Sequence, residues 1–310
     1  MGGQGSGRRA MAAPRLQEVA DGVHVYLQPD GSWCLSNSGV LVGQRSVLLI
    51  DTASTARRAR ALRAAVGAAT SLPVQTLVNT HHHGDHTYGN FVFPEATIVA
   101  HALAREEILA AGLQLKLIWP DVDWGDIEIV PPSVTFTDRL TLYAGELEVQ
   151  LIHVGPAHTT NDVVAWIPAR GVLFCGDIVF NGQTPFCLMG SIAGSLEAID
   201  TLRSLGATTV ASGHGAVAGP EVFEVNAAYL RWIQRSARAA LAAGLPPLQA
   251  ARETGLGDFA GLLDPERVVG NLHRAYAEEQ GAPRGAPLDI VSIFLQMAEY
   301  NGGAMPACYA

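Results

Sequence analysis

The chain has 310 residues, 48% of them hydrophobic and 16% charged, which is enough apolar side chain for a large core and excludes a disordered protein. A net charge of −9 excludes a surface built to neutralise phosphates, because nonspecific nucleic-acid binding comes from Lys and Arg displacing counterions. No run of eighteen or more apolar residues occurs, and the opening "MGGQGSGRRAMAAPRLQ" lacks the apolar segment of an export signal, so a soluble cytoplasmic protein without membrane partners is expected.

Residues 1–14, rich in Gly, Ser and Arg, read as a mobile tail. Strand-like runs follow: "GVHVYLQ" (22–28), "SGVLVG" (38–43) and "SVLLIDT" (46–52), separated by Gly and Asp turn signals. "TARRARALRAAVGAA" reads as a helix, its arginines on a solvated face, then "VQTLVNT" and "ATIVAH" as strands and "ALAREEILAAG" as a helix. The segment "QLKLIWPDVDWGDIEIVPPS" has Pro and aromatic punctuation and no period, as expected of a substrate-facing loop. The pattern then repeats in outline. "RLTLYAGELEVQLIHVG" (139–155) gives two strands, "DVVAWIP" and "GVLFCGD" two more, "SLEAIDTLRSLG" a helix and "TTVASGHG" a strand running into a loop. Two packed sheets with helices outside are therefore expected over residues 15–220. From about residue 221 only helical patterns remain, which predicts a helical C-terminal extension, 221–310, packed on that domain.

The chemistry concentrates in "HHHGDH", residues 81–86. If "VQTLVNT" is a strand running into it, His81 and His83 share a side and His82 points away. Gly84 then permits a sharp turn that swings Asp85 and His86 toward a second point. Further donors stand beside glycines after apolar runs: His158 in "GPAHTTND", Asp177 in "LFCGDIV" and His214 in "ASGHGAV". A mixture of imidazole and carboxylate suits a borderline divalent ion such as zinc. A solvated or adventitious His-rich loop is the competing reading, but it does not account for the later donors. His24, His101, His153 and His273 stand singly and read as structural. Cys34, Cys175, Cys187 and Cys308 lie far apart without a C-x-x-C pair and read as free thiols; Cys175 would share a face with Asp177 but reads as a core thiol.

The H-x-H-x-D-H motif as "HHHGDH", followed by "GPAHT", "FCGD" and "SGHG", resembles the metallo-β-lactamase superfamily over roughly residues 16–220. The resemblance implies an α/β (α+β) four-layer αββα sandwich with two metals at one edge of its sheets, and it leaves iron or manganese as alternatives to zinc. It implies that His81, His83 and His158 hold the first metal, that Asp85, His86 and His214 hold the second, and that Asp177 bridges them. A bridging aspartate there is similar to the superfamily's thioesterases, such as glyoxalase II, rather than its zinc β-lactamases. Asp85 and Asp177 are accordingly the expected catalytic residues, Asp85 also orienting the attacking water. Asp51 reads as a hydrogen-bonding residue near the metal loop.

A narrower resemblance spans nearly the whole chain. "GSWCLSNSGVLVG", "NTHHHGDHTYGNFVFP", "WPDVDWGDIEIVPPSVTFTDRLTL", "GPAHTTNDVVAWIP", "TPFCLMGSIAG" and "YNGGAMPACYA" are similar to the family of second-ring cyclases of aromatic polyketide pathways, the actinorhodin cyclase among them. That resemblance implies a dinuclear cyclase and thioesterase that closes the second ring by aldol condensation and releases the product from an acyl carrier protein bearing a poly-β-keto or bicyclic chain. Trp33, Trp119, Trp124, Phe180 and Phe186 would line its substrate pocket, with core packing as the alternative for each. Tyr300 and the tail near Cys308 would cover the pocket mouth, form a homodimer contact, or simply dock on the surface. Another thioesterase or lactonase of the superfamily, and a non-catalytic metal-bound partner of the synthase, remain as rival readings.

Overall fold

The computed structural model describes residues 12–310; most of the expected tail, residues 1–11, lies outside the described residues. Seven strands, β1 (Arg15–Ala20), β2 (Val23–Leu27), β3 (Ser38–Val42), β4 (Val47–Ile50), β5 (Val74–Val78), β6 (Thr97–His101) and β7 (Val134–Phe136), form one sheet in sequence order. Its first half is antiparallel; β4 to β7 are parallel. The second sheet has the order β13-β11-β10-β9-β8, built from β8 (Arg139–Ala144), β9 (Leu147–His153), β10 (Val163–Ile167), β11 (Val172–Phe174) and β13 (Thr209–Ala211). A short ribbon pairs β12 (Phe180–Asn181) with β14 (His214–Gly215).

Period-two alternation explains how the layers stack. Leu41, Leu48, Ile50 and Val78 of the first sheet meet Leu151, Val163, Ala165, Val172 and Phe174 of the second in one buried cluster. The alternate residues Val40, Val47, Leu49 and Leu77 face outward, onto Leu62 and Val66 of helix α1 (Ala56–Ala69). On the far side of the second sheet, Ile152, Val164, Trp166 and Leu173 pack with Ala198, Ile199 and Leu202 of α5 (Ile192–Ser204). The result is the expected αββα sandwich. Helix α1 starts where the Thr55 hydroxyl accepts from the Arg58 N–H, and α5 where Ser191 accepts from Gly194. Between them come α2 (Gly84–Thr87), α3 (Ala102–Ala111) and α4 (Leu115–Ile118).

The C-terminal region forms α6 (Glu221–Ala242), α7 (Pro247–Thr254), α8 (Arg267–Glu279) and α9 (Ile290–Tyr300). Their buried faces, among them Phe223, Leu230, Ile233, Val269, Leu272, Phe294 and Met297, continue the cluster on the outer face of the second sheet. Asn226 of α6 grips the β12 backbone, accepting from the Phe180 N–H and donating to its carbonyl, each at 2.9 Å. Beyond α9 the tail turns back: the Pro306 carbonyl accepts from the Trp119 indole at 2.7 Å, and the Cys308 thiol meets that of Cys34. No helix of the described residues is long and apolar enough to cross a membrane.

Candidate metal centre

The seven candidate ligands sit on the loops and strand ends at one edge of the two sheets. His81, His83, Asp85 and His86 follow β5; His158 lies in the loop between β9 and β10, Asp177 just after β11, and His214 opens β14 shortly after β13. Asp85 and His86 occupy the single turn of α2, whose entry residue His83 is extended. Gly84 has a role other than the expected turn: its backbone is not left-handed, and an added Cβ would strike the Tyr88 ring at 2.4 Å. At Gly213 a side chain would fall on Asp177 Oδ1, so that position too admits only glycine.

The side chains converge in two groups. His81, His83, His158 and Asp177 form one and Asp85, His86 and His214 the other, the donor atoms within each lying within 4.8 Å of one another. In the first, His81 Nε2 and His158 Nε2 approach His83 Nδ1 at 3.1 and 2.9 Å. In the second, His214 Nε2 lies 3.3 Å from Asp85 Oδ2 and His86 Nε2 3.8 Å from it. Asp177 touches both: Oδ1 is 3.3 Å from His86 Nε2, while Oδ2 is 3.3 Å from His214 Nε2 and 3.5 Å from His158 Nε2.

The surrounding hydrogen bonds decide which nitrogens carry protons. The carbonyls of Phe186 and Gly31 face Nδ1 of His158 and His214, and Asp51 Oδ2 faces Nδ1 of His86 at 2.9 Å. Each partner can only accept, so Nδ1 donates and Nε2 is the nitrogen turned inward, free to offer a lone pair to an ion that displaces any proton on it. Thr80 uses its single hydroxyl hydrogen on Asp51 Oδ2 at 2.7 Å, so His81 Nδ1, 3.0 Å from that hydroxyl, must donate to it. The lone pairs of His81 and His158 therefore both point at His83 Nδ1, which can satisfy one of them at most. His86 Nε2 and Asp177 Oδ1 are buried with no hydrogen-bond partner among the described residues. Converging imidazole nitrogens and carboxylates, with buried polar atoms left unpartnered among them, suit a pair of cations, so this donor set fits the expected metals.

The electrostatics agree. Burial, then the neighbouring imidazole of His86, holds His81 well below the usual histidine range, and burial does the same for His83. For His86 and His214 burial opposes charge, but Asp177 and the other carboxylates outweigh it, lifting His86 well above its ordinary value and His214 to about 9. Burial also raises Asp177, yet the imidazoles of His214 and His86 reverse this and leave it well below the carboxylate range. His82 turns away from the cluster as expected, and burial takes it down to about 4.

The centre opens into a cavity lined by Trp33, Tyr88, Trp119, Phe180, Phe186 and Phe294, among others. Four of the five expected aromatics are there. Trp124 is not; it sits behind the wall, edge-on to Tyr88, with its indole donating to the Trp119 carbonyl at 2.9 Å. Trp33 is the hub. Its indole donates to Glu266 at 2.7 Å, and its ring meets Trp119, Phe186 and Phe294 at 5.1–5.8 Å and the Arg267 guanidinium at 4.1 Å. Tyr88, Arg267 and Phe294 were not anticipated. Phe294 lies on an amphipathic helix whose spacing announces only that one face is buried, not against what. The tail after α9 docks behind Trp119 and Cys34 and contributes no residue to the cavity lining. Cys175 is a core thiol 3.4 Å from the Ala211 carbonyl, and His101 and His153 stack on each other at 3.9 Å, away from the cluster.

Comparison with known proteins gives the same picture. The family model described as the metallo-beta-lactamase superfamily matches residues 31–214, a stretch that holds all seven donors. A hydroxyacylglutathione hydrolase of Synechococcus sp. is 30% identical over 53% of this chain and 57% of its own length. One from Methylococcus capsulatus is 27% identical over 71% of this chain and 77% of its own. A third, from Rhodospirillum rubrum, is matched over 45% of its length, so for two of these three relatives the match spans only about half of the protein. Among solved structures, the metallo-beta-lactamase from Pontibacter korlensis superposes with a TM-score of 0.60 at 20% identity, covering 71% of this chain and 99% of that one.

Proposed function

Since the chain belongs to the metallo-β-lactamase superfamily, we propose that it is a metal-dependent hydrolase whose substrates are thioesters. The observation that carries this reading is Asp177, with one carboxylate oxygen turned to His86 and the other to His158 and His214. It is the aspartate that the sequence resemblance associates with the thioesterases of the superfamily, and the names of the similar hydroxyacylglutathione hydrolases point the same way. His81, His83 and His158 would hold one ion and Asp85, His86 and His214 the other, with Asp177 between. When bound, two divalent ions, zinc by the donor set, supply Lewis acidity and a water acidified toward neutral pH.

The chain's own residues do the rest. Asp85, whose side chain keeps 12% of its surface exposed, faces the cavity and orients the attacking water. The aromatic wall excludes bulk water and takes up the acyl group. The cavity also favours a second, narrower reading. Its one arginine, Arg267, is fully buried, with its guanidinium held by the Thr184 carbonyl and Asp264 at 3.0 Å. No lining cation is therefore free for the two carboxylates of a glutathione moiety, whereas six aromatic rings suit a flat, partly cyclised polyketide delivered by an acyl carrier protein. On that reading the Lewis acidity that ions held by the seven donors would supply would also serve an aldol closure.

The test offers the zinc-loaded protein two thioesters, one of glutathione with a hydroxyacyl group and one of pantetheine with an aromatic β-ketoacyl group, and follows free thiol. Hydrolysis of both, at least about tenfold better with the pantetheine thioester, is expected, each lost in Asp85→Ala. Absence of thiol release from either substrate overturns the hydrolase reading. Preference for glutathione overturns the polyketide one.

A further inference from the structure

His82 stands between two candidate ligands yet belongs to neither group of donors. Its ring centroid is 6.5 Å from that of His81 and 4.6 Å from that of His83, on the cavity side, and the residue is only 9% exposed. What holds it there also fixes its hydrogen. The His82 backbone N–H donates to Asn161 Oδ1 at 3.1 Å, which sets the orientation of the Asn161 amide. The amide nitrogen of Asn161 must then be the atom facing the ring, and it lies 3.1 Å from His82 Nδ1. An amide –NH2 can only donate. His82 Nδ1 therefore accepts, and the hydrogen of the neutral ring stands on Nε2. Asn161 is fully buried; its amide nitrogen also donates to Thr160 Oγ1 at 3.3 Å, and its backbone N–H donates to Thr159 Oγ1 at 3.2 Å. His82 Nε2–H finds no acceptor among the described residues. It is a preset donor on the cavity wall.

We propose that His82 is a catalytic residue whose Nε2–H donates a hydrogen bond to the acyl oxygen of the substrate as negative charge grows on it. The assignment rests on the hydrolase reading above. In that reaction water forms the new C–O bond, the C–S bond breaks, and acid and thiol leave; the charge gathers on the carbonyl oxygen meanwhile. A donor fixed in the cavity wall with its hydrogen unclaimed by the protein needs little reorganisation to meet that charge, and one such donor is worth roughly 10²–10³-fold in kcat. Ring shape and packing alone would not require the hydrogen to be on Nε2.

The experiment compares wild type, His82→Phe and His82→Gln in the zinc-loaded protein. Phe keeps a planar ring without a donor; Gln can accept from Asn161 and still present an N–H. Expected are full metal content in both variants, a fall of about 100-fold in kcat with KM little changed for Phe, and recovery of at least about tenfold for Gln. Nitrogen-15 NMR of the metal-loaded wild type, which needs no substrate, should find the Nε2–H tautomer at His82. Wild-type kcat in the metal-replete Phe variant, equal loss in Phe and Gln, loss of metal from the Phe variant, or an Nδ1–H tautomer would each overturn the proposal while leaving the hydrolase reading standing. A wild type that releases no thiol overturns both together.

Discussion

Asp51 touches no part of the cavity and still governs the centre. Its backbone adopts the left-handed region, φ 57°, and its carboxylate collects three hydrogen bonds: from the Thr80 N–H and hydroxyl, each at 2.7 Å, and from His86 Nδ1 at 2.9 Å. Replacing it by Asn, which tolerates that backbone, places an –NH2 against His86 Nδ1. The hydrogen of the ring then moves to Nε2, the atom that faces the second ion. Affinity for that ion should fall 10–100-fold, measured by competition with a chromophoric chelator, and an unchanged affinity would show that Asp51 does not set the ring. The difference between Asp51 and the ligands is also the difference in what could be read in advance. "HHHGDH" is legible because six consecutive residues carry the pattern, and because backbone periodicity says which of them share a side. Of the other candidate ligands, Asp177 and His214 directly follow glycines, and at Gly213 the reason is the closeness of Asp177. Asp51 becomes a partner of His86 only through the parallel pairing of β4 with β5, and Asn161 meets His82 across 79 residues; neither contact leaves a local mark.

Among the elements, buried strands and amphipathic helices announce themselves by period, and those that escape notice are the ones with little to bury. Edge strand β1 is only half-buried and β7 is three residues long, exposed at two of them. Neither alternates clearly enough to be read. The middle segment shows no period because most of it forms none: apart from the single turn of α4 it is irregular, and it contributes Leu115, Ile118 and Trp119 to the cavity. The helices after residue 220 look, as a sequence, like an appendage. Their packing makes them part of the site, since Asn226 on α6 holds β12, and β12 pairs Phe180 with His214. Truncating Asn226 to Ala would leave the buried N–H and carbonyl of Phe180 without partners, each costing about 1–3 kcal/mol. A loss of about 2–4 kcal/mol in denaturant unfolding is therefore expected, along with weaker metal binding at His214. A loss below about 1 kcal/mol would mean that the ribbon is held by its own pairing.

At the scale of the whole molecule the centre joins both sheets: the first supplies four of its donors and the second three, so metal binding and folding are coupled. Without ions, the carboxylates of Asp177, Asp85 and Asp51 are offset by protons on His86 and His214. A histidine whose folded pKa exceeds its unfolded value near 6.5 stabilises the fold fully below pH 6.5, and the contribution is lost as the pH climbs through the folded value, about 9 for His214. The metal-free protein should therefore become less stable between pH 6.5 and 9. Ions displace those protons, so their apparent affinity rises over the same range. With free metal at a thousand times its dissociation constant, each ion bound adds about 4 kcal/mol, which for a chain of this size corresponds to roughly 6 °C in unfolding midpoint. Thermal unfolding of the chelator-treated and zinc-reloaded protein at pH 6, 7.5 and 9 tests the coupling. The gap between the two should be smallest at pH 6 and widen with each step. A gap that does not change with pH would show that the two histidines do not carry protons in place of the ions, and the absence of any gap would show that the sandwich closes without them.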